Sequence, residues 1–520
     1  MEHYSNRNIA KSAGVIGFAT LCSRILGFAR DVVIARLFGV YTYAQAFVVA
    51  FKIPNLFRDL LGEGAANAAF VPVFSEYKLN HTKEEFWELA NVVLNLLLVI
   101  VGVVTLLGII FSPIIVRIVA PGFISDPYKL ETTIRLNRII FPYIILISLA
   151  AYSMGLLNSL KHFSVPAFAP CLLNISIIVF ALIFGESIKG LALGVLVGGV
   201  MQLAVQIPVL YKKGFRLKRP KTLRHPAARS IGLLMLPRLF SSCIYQLNNL
   251  VDSVFGSLAW VVGEGGVAIL YFSYRLILFP LGIFSTSLAQ AILPAFSTQA
   301  LEDNYDRLKA TLSFGLRATF FVLVPASLAF MVLSRRIISA LFQGGQFNVY
   351  SVDLTSGALF FYSIGLFAYG STRILQSCFF ALKDTLTPAK VSFLALILNI
   401  ILNSLLMFPM KIAGLALATS ISGIISFCVL FSLLRKRLKP FTTGDIISSF
   451  LRILLASVGM ALVSSYVCSN FILSAGKLAK FLNLGFAIAA GFTVYILLCF
   501  IFRVREMQQL WHWLLQHRLR

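Results

Sequence analysis

Fourteen apolar segments constrain this 520-residue chain more than any other feature. They lie near residues 13–38, 44–75, 91–116, 136–160, 166–186, 189–211 and 231–262, then 267–298, 311–333, 354–381, 388–409, 411–434, 447–468 and 481–502. About 20 apolar residues span the hydrocarbon core of a bilayer. With 58% hydrophobic and 12% charged residues, the chain carries more apolar surface than soluble cores of its size could bury. Inside lipid, backbone groups must be satisfied within the segment, which at these lengths means helices. The expected fold is an all-α polytopic membrane protein with 14 transmembrane helices, the longest of them tilted or broken.

Basic loops set the orientation. "YKKGFRLKRPKTLRHPAARS" after the sixth segment holds eight Lys or Arg residues, and "LRKRLK" after the twelfth holds four. Both loops share a side with the two termini, and the positive-inside rule makes that side cytoplasmic. Topology and attraction to lipid headgroups account for the net charge of +25, so no nucleic-acid partner is invoked. The N-terminus imitates a signal peptide, but no small-residue cleavage motif or lipobox precedes Cys22, and it is expected to be retained. The seven cysteines stand singly, almost all in apolar runs, and read as small hydrophobes; the six histidines fall in loops or tails.

The chain repeats itself. "AFVPVFS" (69–75) recurs as "AILPAFS" (291–297), and "KHFSVPA" (161–167) as "KDTLTPA" (383–389), both at an offset of 222. Six segments separate the copies, so both halves enter the membrane in the same direction, a parallel repeat of the kind transporters use. The expected organisation is an N-terminal lobe (1–211), a basic cytoplasmic linker (212–230), a C-terminal lobe (231–434) and two extra helices with a cytoplasmic tail (435–520).

Charge inside these segments is concentrated in the first, second and eighth: Arg24, Arg30, Asp31 and Arg36; Lys52, Arg58, Asp59 and Glu63; and Arg275. Each costs about 2.5–3.5 kcal/mol at a helix centre on insertion scales. Arg36, Arg238, Arg317 and Arg452 stand near segment ends and are expected to snorkel. Arg24 and Asp31 are seven apart, as are Lys52 and Asp59, so each pair shares a helical face. Arg24, Arg30, Arg58 and Arg275 remain in excess of central acids and predict a water-filled cationic cavity. A guanidinium offers phosphate oxygens two parallel hydrogen bonds, so the expected ligand is a phosphate or diphosphate. Gly27, Pro54 and Pro280 interrupt the same helices, where transporters place sites and hinges.

A second group is polar: Asp252, Asn399, Asn403 and Thr419. Their oxygens suit a sodium ion, and Asp252 alone suits a proton. Interhelical hydrogen bonding accounts for the asparagines but not for Asp252.

"SRILGFARDVVIARLFG" (23–39), "AFVVAFKIPNLFRDLLGEGAANAAFVPVFSEY" (46–77) and "FPYIILISLAAYSMGLLN" (141–158), followed by "FSVPAFAPCLLNIS" (163–176), resemble the MurJ (MviN) family of bacterial lipid II flippases. The resemblance runs through nearly all fourteen segments. It implies the fold of the multidrug/oligosaccharidyl-lipid/polysaccharide exporter superfamily: two six-helix lobes around a cationic cavity, with the last two segments forming a groove for the undecaprenyl tail. Arg24, Arg30, Arg58 and Arg275 match the family's functional arginines. Asp31 matches the acid beside them, Glu63 belongs to a gate-like "EGA" turn, and Lys52 joins them as a gating or charge-pairing residue. Asp252, Asn399, Asn403 and Thr419 look like the sodium site of some members. Gln45 and Leu278 depart from the pattern, since relatives often carry acids there.

The expected activity is flipping of lipid II across the bacterial cytoplasmic membrane by alternating access, with lipid II, the bilayer and other cell-wall synthesis proteins as partners. No cofactor and no catalytic residue are expected, sodium or the membrane potential being the candidate driving forces. The rival reading is a flippase for another undecaprenyl-diphosphate-linked oligosaccharide. A membrane enzyme would need acids or histidines grouped for metal or nucleophile chemistry, and none are.

Overall fold

A computed structural model describes residues 6–58, 65–218, 222, 225–302, 305–438, 444–470 and 476–508. Apart from one isolated bridge between Gly344 and Phe347, every regular element among them is helical. The chain divides into two compact units, Met1–Leu258 and Ala259–Arg520.

The first unit holds α1 (Asn6–Phe38), α2 (Thr42–Arg58), α3 (Ala65–Asn80), α4 (Lys83–Ile110), α5 (Ser112–Val119) and α6 (Pro127–Ile140). It continues with α7 (Tyr143–Ser159), α8 (Ser164–Phe184), α9 (Ile188–Ala204), α10 (Ile207–Lys212) and α11 (Pro226–Gly256). The second holds α12 (Ala259–Val262), α13 (Gly266–Pro280), a π-helical turn at Leu281–Ser285, α14 (Thr286–Leu301) and α15 (Tyr305–Phe342). There follow α16 (Val349–Ile364), α17 (Leu366–Ala381), α18 (Leu386–Arg437), α19 (Gly444–Asn470) and α20 (Lys477–Ile501). Each of the fourteen apolar segments falls on one or two of these helices. Among the described residues nine helices are long and apolar enough to cross a bilayer, or ten with α16 and α17, bent by 43°, taken as one span.

Local chemistry explains the boundaries. Thr82 starts α4 with a reciprocal cap: its hydroxyl accepts from the Glu85 amide at 3.3 Å, while the Glu85 carboxylate accepts from the Thr82 amide at 2.8 Å. Only 22% of the apolar stretch of α4 is buried, so most of it is left to lipid. Within α18 the chain reverses at Lys411, whose φ of 53° and ψ of −131° are not helical. A Cβ on Gly414 would lie 2.2 Å from the Leu406 carbonyl oxygen, and Asn399 bonds to Thr419 across the turn. α18 is thus an antiparallel hairpin, its halves matching the segments read at 388–409 and 411–434.

The repeat is structural. Its first motif places a proline inside each of α3 and α14, Pro72 and Pro294. Its second ends α7 and α17 identically, with a left-handed lysine in each: Lys161 at φ 60° and Lys383 at φ 57°. His162 N–H donates to the Leu157 carbonyl at 2.9 Å, and Asp384 N–H to the Phe379 carbonyl at 2.9 Å. This is the 6→1 bond that closes a helix C-terminus when the residue after it turns left-handed.

Packing relies on contact and hydrogen bonds, since lipid competes for apolar surface as well as a helix does. α9 lies on α8 through Gly194 and Gly198, where an added Cβ would meet the Ile177 and Leu173 Cα atoms at 2.9 Å. In the first unit Phe70, Phe74, Phe86 and Tyr152 knit α3, α4 and α7, and the Tyr152 hydroxyl donates to the Ala90 carbonyl at 2.7 Å. In the second, Phe296, Phe320, Phe379 and Tyr495 centre a core of α14, α15, α17, α19 and α20. The Tyr495 hydroxyl donates to the Phe321 carbonyl at 2.7 Å.

Candidate functional site

The α1 arginines occupy different environments. Arg24 is exposed, whereas Arg30 is 3% exposed and Asp31 fully buried. Arg30 Nε and Nη2 donate to one oxygen of Asp31 at 3.0 and 2.7 Å, and Nη1 donates to the Asn174 side-chain oxygen at 3.1 Å. The guanidinium also lies 6.0 Å from the Phe51 ring centroid. Asn174, on α8, sends its amide hydrogen back to the Ser23 carbonyl at 3.2 Å. One side chain therefore staples α1 on both sides of Gly27 and fixes the direction of Arg30.

Adjacent residues on a helix ordinarily face apart. Arg30 reaches Asp31 because α2 and α8 close around it. Asp31 accepts from Arg30, the residue next to it in the chain. Asn174 carried no signal beyond its place in a familiar string.

On α2, Lys52 is half-buried and donates to the Asn249 carbonyl and to the Ser253 hydroxyl of α11. Asp252 lies on the same turn, and its carboxylate acts electrostatically on the Lys52 ammonium. Arg58 closes α2; its side chain, together with all of Asp59 and Glu63, lies outside the described residues, as does the Arg238 side chain. Gln45 is buried and Leu278 half-buried.

In the second unit Arg275 sits half-buried on α13, shortly before Pro280 and the π-helical turn. Such turns often mark functional positions in helices. Arg373, a mid-helix arginine of α17 that the sequence reading passed over, donates to the Thr286 hydroxyl just beyond that turn. The criterion that found Arg275, an arginine deep in an apolar segment, finds Arg373 too.

Arg317 does not snorkel. It turns inward from α15 to Glu506, at 3.3 Å, with side-chain exposures of 11% and 5%. The Ser449 hydroxyl of α19 donates to the other Glu506 oxygen at 3.0 Å. The acid that draws Arg317 inward lies beyond the last span, where local sequence gives no hint of pairing. Arg452 stays exposed and donates to the Arg503 carbonyl at 3.2 Å.

The Asn–Thr group is assembled within α18. Asn403 Nδ2 donates to Asn399 Oδ1 at 3.0 Å, Asn399 Nδ2 to Thr419 Oγ1 at 3.1 Å, and the Thr419 hydroxyl to the Leu415 carbonyl at 3.2 Å. Asp252 belongs to the first unit. Of the Asn–Thr group the buried Asn403 Oδ1 is without a hydrogen bond among the described residues.

The family model described as "Lipid II flippase MurJ" matches residues 34–497. A probable lipid II flippase MurJ of Buchnera aphidicola subsp. Schizaphis graminum is 36% identical over 465 residues, 87% of this chain and 88% of that protein. One from Bdellovibrio bacteriovorus is 32% identical over 515 residues, covering 97% and 98%. Among solved structures, a lipid II flippase MurJ in an inward closed conformation is similar with a TM-score of 0.79 and 28% identity, covering 94% of this chain and 98% of that one. An inward-facing multidrug resistance transporter of the MATE family shares the fold at a TM-score of 0.69 and 16% identity, over 80% of this chain and 94% of that one.

Proposed function

Because the chain belongs to the lipid II flippase MurJ family, we propose that it moves lipid II, an undecaprenyl-diphosphate-linked peptidoglycan precursor, from the inner to the outer leaflet of the bacterial cytoplasmic membrane. Both termini lie on the cytoplasmic side in this reading, as the basic loops favour. The observation that carries it is Arg24, exposed on α1 beside a guanidinium already aimed by Asp31 and Asn174.

Arg24 meets the diphosphate first. Arg30 follows by exchanging part of its contact with Asp31 for phosphate oxygens, which its fork geometry permits. Arg58 and Arg275 supply further positive charge, and α19 and α20 carry the lipid tail. Asp31, Lys52 and Glu63 serve as charge partners and gate. No bond is made or broken, so no catalytic residue or cofactor is required, and other cell-wall synthesis proteins are the natural neighbours.

The membrane potential or sodium supplies the drive. An inside-negative potential favours outward movement of an anion by about 2.3 kcal/mol per charge per 100 mV. The test is outer-leaflet exposure of lipid II in cells whose only flippase is this chain, comparing wild type with Arg24→Ala/Arg30→Ala at matched membrane levels. Exposure in wild type and retention in the variant support the reading; equal exposure in both overturns the role of the arginines.

A further inference from the structure

The positive-inside rule leaves few cations on the far side of a membrane, and several that this orientation puts there are paired with acids. Lys129 lies 3.9 Å from Asp126, Arg135 2.9 Å from Glu131 and Arg335 2.9 Å from Asp353. The outer end of α15 and the start of α20 are different. Arg336 and Lys480 are both exposed there, and among the described residues neither has an acid within ion-pair distance. Lys480 is nonetheless held. Its ammonium donates to the Gln343 side-chain oxygen at 2.9 Å and lies 3.5 Å from the Ser339 hydroxyl, which itself donates to Gln343. Neutral partners orient an ammonium without cancelling its charge, and a third N–H remains for an anion. Arg336, Ser339 and Gln343 follow one another at three and four residues, so they share one face at the end of α15. Arg336 therefore stands one turn from the point where Lys480 lands.

Below these cations runs an apolar surface. Only 22% of the apolar stretch of α20 is buried, and Phe481, Leu482 and Phe486 are exposed next to Lys480. Uncompensated cations at headgroup level above an apolar helix face suit a lipid whose anionic group stays at the interface while its chain lies along the helix. A guanidinium fork beside an ammonium suits a group rich in phosphate oxygens. We infer that Arg336 and Lys480 form an exit site, which takes the diphosphate of the polyprenyl-linked lipid once it has reached the outer leaflet while the tail lies along α20. The site deepens the flippase reading and rests on it for the ligand and the direction of travel.

Photo-crosslinking tests this. Phe481 is replaced by benzoylphenylalanine in the purified full-length chain, held in phosphatidylcholine nanodiscs that contain lipid II. Both leaflets of a nanodisc are open to the lipid, so crosslinking needs no transport. Lipid II should crosslink at this position, and Arg336→Gln/Lys480→Gln should lower the yield about fivefold, as expected for two exposed charge contacts. Arg336→Lys/Lys480→Arg keeps both charges and should hold the yield within about twofold, which separates charge from folding. A roughly tenfold excess of phosphatidylglycerol, with its single phosphate, should leave the yield within about twofold. A yield that ignores the loss of both charges overturns the site, and displacement by phosphatidylglycerol overturns its assignment to a diphosphate. Outer-leaflet exposure of lipid II in cells judges the flippase reading separately. Exposure that persists while crosslinking ignores the charges overturns the exit site alone. Charge-dependent crosslinking by a chain that exposes no lipid II overturns the flippase reading and supports the diphosphate contact.

Discussion

The contrast between Arg24 and Arg30 predicts two losses of function with different physical origins. Arg24 is exposed, and replacing it by alanine should cost no more than about 1 kcal/mol, as for an exposed ion pair. Arg30 neutralises Asp31, whose exposure is 0%. Arg30→Ala leaves that carboxylate in the interior without its cation, a change that typically costs about 3–5 kcal/mol. For a unit the size of Met1–Leu258, that corresponds to a fall in melting temperature of roughly 10 °C. Cys171, Cys378 and Cys499 are buried, so a thiol-reactive dye reports unfolding directly, over a baseline from exposed Cys428. Arg30→Met/Asp31→Asn removes both charges and should recover most of the loss, because an apolar pair in place of a buried ion pair is often neutral. Transport should remain impaired in that double variant, since no guanidinium is left for phosphate. Equal melting of Arg24→Ala and Arg30→Ala would refute the reasoning, as would a double variant no more stable than Arg30→Ala alone.

Arg317→Ala should destabilise by about 3–5 kcal/mol by stranding Glu506, and Arg317→Met/Glu506→Gln should restore much of it; the same dye assay checks both. Lys161→Gly and Lys383→Gly should each stabilise by about 0.5–1 kcal/mol, because a side chain at positive φ is strained where glycine is not; a lowered melting temperature would contradict this. Asp384 lies between spans. Burial alone would raise its pKa, but the Thr387 amide and hydroxyl and the Arg437 guanidinium outweigh that and hold the carboxyl below its ordinary 3.8. A depressed carboxylate contributes stability that is present above its unfolded pKa and lost as pH falls through the folded value. The melting advantage of wild type over Asp384→Asn should therefore shrink below about pH 4.

Spans and repeat were legible because their signals are local and long. Apolar runs name the helices, and two motifs at a shared offset name the duplication, down to the lysines that close α7 and α17. The turn between the halves of α18 was legible too, as the break between the segments at 388–409 and 411–434. What escaped was partnership. Arg30 is satisfied by its own neighbour because α8 brings Asn174 to it, and Lys52 finds its oxygens on α11. Arg317 looked like an interface residue until Glu506 was placed beside it. Each of these depends on which helices pack together, and no window of sequence contains that information. Arg373 is a different case: its signal was present and went unweighed.

The Arg317–Glu506 pair also bears on how the protein is made. Arg317 enters the membrane early in the synthesis of the second unit, whereas Glu506 lies beyond α20, among the last residues of the chain. Until translation reaches Glu506, α15 carries an interior arginine without its counterion, and α19 lacks the carboxylate that Ser449 binds. Synthesis past Glu506 is therefore what brings the two ends of this contact together. A product ending after the last span would keep every span yet leave Arg317 without Glu506. Fusion partners, likewise, belong beyond residue 508, where they leave this lock to close.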